Sequence, residues 1–205
     1  MFLVTRSGGY DEETMPTVEF LFDYASPYSF LASVSLEAKL PGAEIEYRPV
    51  YLRGFESFAK GIPFSAPKLA FLIVDLRRCA QDLGIELRVP TAFPVNGLYA
   101  LRGAIAAQRA GKFAAYHEAM FQAAWQRGRD ISQKQSVAAI ATELGLPEVA
   151  AALDEPSIKD ELRANTDAAT KRGVFGVPTF FVGPEMFWGH DRMHQVARAL
   201  SGAGA

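Results

Sequence analysis

Cysteine is nearly missing from this chain: Cys79 is the only one in 205 residues. One cysteine excludes an internal disulfide framework and any Cys-x-x-Cys redox or zinc motif. Cys79 lies in Leu76-Arg77-Arg78-Cys79-Ala80, on a helical pattern, and reads as a small buried hydrophobe rather than a nucleophile. No His, Cys, Asp and Glu cluster has zinc spacing, so no metal is expected. An excess of charge is missing too: 21 Lys and Arg stand against 23 Asp and Glu, a net −2. No basic stripe with interleaved aromatics occurs, so nucleic acid is not an expected partner. No apolar run reaches membrane-spanning length. Met1 to Met15 has a short apolar start, then Arg6, Asp11, Glu12 and Glu13, with no signal-peptide core. These absences point to a soluble, cytoplasmic protein without a membrane partner, with residues 1–15 as a loose extension.

What is present is apolar. At 49% hydrophobic content the chain can build one large core, or one domain with a sizeable insertion. The most informative stretch is Tyr24-Ala25-Ser26-Pro27-Tyr28-Ser29. Before it, Val18-Glu19-Phe20-Leu21-Phe22 alternates as a strand with one buried face. After it, Phe30, Leu31, Val34 and Leu36 fall near helical spacing. Pro27 fits the first helical position, which makes Ser26 the N-cap candidate. A helix N-terminus offers unpaired N–H groups and partial positive charge, a natural place for an anion.

Along the chain, Pro41-Gly42 closes the first helix and Ala43 to Leu52 reads as a second strand, completing a parallel βαβ unit. Arg53 to Pro67 carries three phenylalanines, two glycines and two prolines, and suits a lid or pocket wall. Helical patterns follow from Ala66 to Gly84, Leu98 to Gly111, Phe113 to Gly128, Ser132 to Leu144, a short piece to Leu153, and Ser157 to Lys171. Strands return at Val177–Val182 and Glu185–Gly189, and a last helix runs from about Arg192 to Leu200 with Asp191 as its N-cap.

The order βαβ, helices, ββα resembles an α/β thioredoxin-like fold with a large all-helical insertion, DsbA-like. Residues 16–60 and 173–205 would form the thioredoxin-like domain and 61–172 the helical subdomain. That resemblance implies a functional residue at the start of the first helix, here Ser26, and a cis proline facing it, here Pro178. Ser26-x-x-Ser29 repeats the spacing of a redox Cys pair with oxygen in place of sulfur, and hydroxyls cannot cycle to a disulfide. A hydroxyl at a helix N-terminus, opposite a strand edge, suits glutathione held as its thiolate. The helix end contributes ~0.3–2 kcal/mol and a charge-assisted hydrogen bond ~1.5–3 kcal/mol. Together these lower a thiol pKa by roughly one to three units.

Three segments sharpen the resemblance: Phe22 to Ala32, Gly173 to Phe180, and Phe187-Trp188-Gly189-His190-Asp191-Arg192. In that order they resemble the 2-hydroxychromene-2-carboxylate isomerase family, relatives of the kappa-class glutathione transferases within the DsbA-like thioredoxin group. The likeness runs from about Val18 to Leu200, and Arg48-Pro49-Val50 and Phe93-Pro94-Val95-Asn96 also look like family segments. It implies a glutathione-dependent isomerase of aromatic (naphthalene-type) catabolism. The glutathione thiolate adds to a chromene carboxylate, the ring opens, the former double bond rotates and the thiolate leaves. By position, Ser26 would activate the glutathione sulfur, Val177 would pair with its cysteinyl backbone, and Gly189, His190 and Asp191 would hold its γ-glutamyl end. Asn96, Arg48 and Trp188 would face the small aromatic carboxylate substrate, with Arg53 a further candidate for its carboxylate. The resemblance also implies a homodimer. One departure is Gly61-Ile62 on a short loop, where relatives commonly carry Gly-Asn on a longer one.

Plainer readings stand beside these. Ser26 is also an ordinary N-cap, Ser29 a local hydrogen-bonding group, and His117 and His194 surface or interface groups. A Ser26-His190-Asp191 triad is disfavoured, because adjacent His and Asp side chains seldom align and no Gly-x-Ser-x-Gly elbow is present. Trp125 reads as core, and Trp188 as core or pocket wall. Phe55, Phe58, Phe64 and Phe71 would serve a dimer contact or the cleft. A kappa-like glutathione transferase and a non-catalytic peptide-binding thioredoxin-like module remain as alternatives.

Overall fold

The computed structural model describes residues 17–202; the extension expected at 1–15 lies outside them. Strand β1 (Thr17–Phe22) is central in a four-stranded sheet of order β2-β1-β3-β4. It pairs in parallel with β2 (Glu44–Pro49), from Thr17 opposite Glu44 to Phe22 opposite Pro49. It pairs antiparallel with β3 (Thr179–Val182), which pairs antiparallel with β4 (Glu185–Trp188). Helix α1 (Pro27–Lys39) joins β1 to β2. Between β2 and β3 lie α2 (Ala66–Asp82), α3 (Leu98–Arg109), α4 (Phe113–Trp125), α5 (Lys134–Glu143), α6 (Pro147–Ala152) and α7 (Pro156–Lys171); α8 (Met193–Leu200) closes the chain.

The alternating pattern of β1 suggested one buried face; both are buried. Val18, Phe20 and Phe22 enter a core shared with α1, α3, α4 and α8, and Leu21 packs on the opposite face with Val50, Phe55, Ala169 and Phe181. From Phe20 to Phe22 the strand is covered on both sides, so alternation there sorts two cores rather than core from water, while Thr17 at its start stays exposed. The second strand is shorter than its pattern. It stops at Pro49, and Leu52–Gly54 turn into a single 3-10 turn. The larger core is continuous from the sheet into the helical block, with Trp125 and Tyr116 fully buried.

Two local expectations are corrected. Asp191 does not cap α8: Gly189 leads into a 3-10 turn over His190–Arg192, α8 starts at Met193, and the Asp191 carboxylate pairs with Arg192. His117 is no surface group. It is 6% exposed in an aromatic core of Phe22, Tyr47, Phe113 and Phe121, with Tyr24 hydroxyl 3.1 Å from Nδ1 and Ser33 Oγ 2.9 Å from Nε2. Burial drives its pKa down to about 3, so the imidazole stays neutral. Among the described residues no helix is long and apolar enough to cross a membrane.

Candidate active site

A cleft of about 580 Å³ opens where the β1–α1 turn, the segment before β3 and the β4–α8 turn meet the 53–76 region. Ser26 is placed there by local chain chemistry. Asp23 carbonyl accepts the Ser26 amide (3.0 Å), Pro27 starts α1, and Ser26 Oγ accepts the Ser29 amide (3.2 Å). The same hydroxyl donates to the Val177 carbonyl at 3.3 Å, across the cleft floor. Ser26 is thus the N-cap of α1, and its hydroxyl proton is directed across the cleft. The Val177–Pro178 bond is cis, as the fold resemblance implied, and so is Phe93–Pro94. The Ser29 amide makes the local bond to Ser26 Oγ, while its hydroxyl is buried and without a hydrogen-bond partner.

Gly189, His190 and Asp191 line the same cleft beside Ser26 and Val177. The His190 ring stacks on Tyr28 at 5.0 Å and 21°. Burial holds the imidazole below its ordinary pKa, against the nearby Asp191 and Asp75 carboxylates. Tyr28 hydroxyl in turn donates to Asp75 of α2 (3.1 Å), tying α1 to that helix. Trp188 is 51% exposed and leans on Phe175 (5.1 Å between rings), so it is pocket wall and not core. Phe58 and Phe64 meet edge to face in the cleft wall, with Lys68 ammonium over the Phe64 ring. Ile62 joins that wall. Of the phenylalanines weighed for a dimer contact, Phe55 is core and Phe71 is 58% exposed outside the cleft walls.

Two predicted substrate residues are not brought to the cleft. Arg48 lies on β2, paired with Glu19 and Glu46. Asn96 faces the helical block: its amide donates to Ser132 Oγ (2.7 Å), its Oδ1 accepts the Leu98 amide at the start of α3 (3.0 Å), and its side chain meets the Tyr51 phenol. Arg48 is held by two carboxylates, and the Asn96 side chain is engaged by the Leu98 amide and the Tyr51 phenol. Two arginines do line the cleft: Arg53, whose Nη2 donates to the Pro94 carbonyl (3.4 Å), and Arg192, which is paired with Asp191.

Sequence reasoning missed Asp23. Its carboxylate is 1% exposed at the cleft floor and accepts the Ala25 amide through Oδ1 and the Leu52 amide through Oδ2, both at 2.8 Å. Burial pushes its pKa up to about 6, against the two amides and Arg53. The available signal was an Asp two residues before an amide at a strand end, the pattern of an Asx turn. Cys79 is partly buried, and burial with the Asp75, Asp82 and Asp191 carboxylates holds its thiol above the ordinary value, consistent with an unreactive group.

Comparison with known proteins agrees with this fold. Residues 17–201 match the DSBA-like thioredoxin domain family. The chain is 35% identical over 192 residues to a 2-hydroxychromene-2-carboxylate isomerase of Sphingobium xenophagum, covering 86% of this chain and 94% of that protein. It is 29% identical over 208 residues to glutathione S-transferase kappa 1 of Homo sapiens, covering 90% of each. A solved structure of a 2-hydroxychromene-2-carboxylate isomerase superposes with a TM-score of 0.79 at 31% identity, over 91% of this chain and 95% of that one.

Proposed function

The chain belongs to the 2-hydroxychromene-2-carboxylate isomerase family, within the DSBA-like thioredoxin domains, and from that premise we propose a glutathione-dependent isomerase. Its substrate would be a small aromatic carboxylate of the 2-hydroxychromene-2-carboxylate type, in cytoplasmic catabolism of naphthalene-like compounds. One observation carries the reading: a nearly buried Ser26 hydroxyl sits on the cleft, at the N-terminus of α1, beside Val177 and the cis Pro178.

The residues present fit glutathione. The Ser26–Val177 bond is long at 3.3 Å, so redirecting that hydroxyl to a thiolate gives up little. The Val177–Pro178 segment suits the cysteinyl backbone, and the Gly189–Asp191 turn the γ-glutamyl end, with Asp191 on its amino group. Bound there, glutathione supplies a thiolate that adds reversibly to a conjugated substrate. Ser26 donates to that sulfur, and the α1 amides add their partial positive charge. Arg53 takes the substrate carboxylate in place of Arg48 and Asn96, and its guanidinium suits a planar carboxylate. Trp188, Phe175, Phe58 and Phe64 present flat apolar faces to an aromatic ring and keep water from it. The same site would serve a kappa-like transferase, a reading favoured by the 29% identity to kappa 1.

The test is a glutathione titration that follows thiolate ultraviolet absorbance against pH. The wild-type protein is expected to lower the thiol pKa by roughly one to three units and Ser26→Ala to lose most of that shift. Absence of binding sinks the reading and leaves a non-catalytic binding module. With the chromene carboxylate added, an isomerase returns glutathione unconsumed, and a transferase leaves a stable adduct.

A further inference from the structure

We propose that Asp23 is the positioning residue that holds the Ser26 turn and the Arg53 turn at a fixed separation across the floor of the cleft. The meaning of that separation rests on the roles given above to Ser26 and Arg53. The clamp itself stands on geometry alone.

Each carboxylate oxygen of Asp23 serves a different segment. Oδ1 accepts the amide of Ala25, the residue before Ser26, and Oδ2 the amide of Leu52, the residue before Arg53. One buried anion thus sets both approaches: the hydroxyl proposed to hold the sulfur and the guanidinium proposed to hold the substrate carboxylate. A third segment closes on the same group. A Cβ on Gly97 would lie 1.9 Å from Asp23 Oδ1, so only glycine lets the start of α3 pack against it. The titratable groups around Asp23 are Arg53 from the turn after β2, the Tyr51 phenol from the same segment and the Tyr24 phenol beside it; Gly97 on the α3 side brings no charge.

The protonation state decides whether the clamp is whole. An ionised carboxylate accepts strongly through both oxygens, whereas a protonated one carries a proton on one oxygen and holds the amides more weakly. Burial places this change near pH 6, so the clamp is whole at neutral pH and loosens in mild acid. Misplacement by about 1 Å at a reacting centre costs on the order of 100-fold in rate.

The experiment is an NMR titration of the 15N-labelled full chain, following the Ala25 and Leu52 amides across roughly pH 4–8, in wild type and in Asp23→Asn. Both wild-type amides are expected to move together with one midpoint near pH 6, and in Asp23→Asn neither should follow that curve. Amides that stay still, or titrate apart, overturn the clamp, and this wild-type readout decides even where the variant does not fold. At about pH 8, where thiol ionisation is not limiting, Asp23→Asn should lower kcat/KM for the chromene carboxylate about 10–100-fold. Wild-type kcat and KM in the variant overturn the positioning role. A wild-type protein that fails to turn over the chromene carboxylate instead refutes the functional reading, while the amide titration still decides the clamp.

Discussion

Helix α2 lines the cleft and α3 starts beside it after Gly97, yet the two are seated differently. α3 buries seven of its 12 residues, from Ala100 to Ala107, and starts against Asp23. α2 buries only Leu76 and Ala80 of 17, and a tie to the body runs through Tyr28 and Asp75. On the α3 side, Trp125 Nε1 donates to the Tyr24 carbonyl (2.8 Å), while the Tyr24 hydroxyl engages His117. The turn that carries Ser26 is thus bolted from beneath by fully buried groups. The wall that carries Ile62, Phe64, Lys68 and Leu72 rests on few buried contacts. Reactive groups need fixed geometry, and a substrate-shaped wall tolerates exchange and movement. The departure at Gly61-Ile62 falls on the exchangeable side.

The largest test of this contrast is acid. His117 has its folded pKa lowered from 6.5 to about 3. Only the unfolded chain takes up the proton as pH falls below 6.5, so stability present above that value is lost progressively toward pH 3. Over that whole span the loss amounts to about 4–5 kcal/mol. Asp23 works in the opposite direction. Its folded pKa is raised from 3.8 to about 6, so folding gains as pH falls through that window. Urea midpoints measured against pH should therefore change little between about 6 and 4 from these two groups and fall steeply below. Asp23→Asn should expose the His117 slope directly, and an unchanged pH profile in that variant would remove Asp23 from the account.

A middle-sized effect is expected from Gly97→Ala on the anchored side. The new Cβ meets a carboxylate whose oxygens are both engaged, so relief requires breaking a bond, at about 1–3 kcal/mol in chemical denaturation. The smallest is Tyr28→Phe on the loosely held side. It keeps the His190 stack and removes the bond to Asp75. Stability should drop by no more than about 1 kcal/mol. KM for the aromatic substrate should rise several-fold with glutathione affinity retained. If Tyr28→Phe destabilised the protein as much as Gly97→Ala, the two walls would not differ in the way argued.

Much of this was legible in the residues. The strand before Ser26, Pro27 at the first turn and Val177-Pro178-Thr179 at the far strand predict the fold and the two sides of the cleft because each depends on local chemistry. Arg48, Asn96, Asp23 and His117 were not legible for a shared reason. Which polar groups are already engaged depends on how the chain folds around them, in large part on neighbours distant in sequence. Arg48 looked available until Glu19 of β1 was seen beside it along with Glu46, and Asn96 until Ser132 took its amide and Leu98 its side-chain oxygen. Asp191 looked like a helix cap because the 3-10 turn before α8 leaves no mark in spacing.

By itself, the sequence determined the order of elements, the serines rather than cysteines at positions 26 and 29, and the serine at a helix N-terminus. These follow from residue identity, short-range backbone preference and hydrophobic period. Tertiary structure alone decided that β1 is buried on both faces and that Arg53, not Arg48, reaches the cleft. It also decided that one buried carboxylate joins the two turns that flank the site. Those outcomes turn on which surfaces exclude water together, and packing of distant segments sets that in three dimensions.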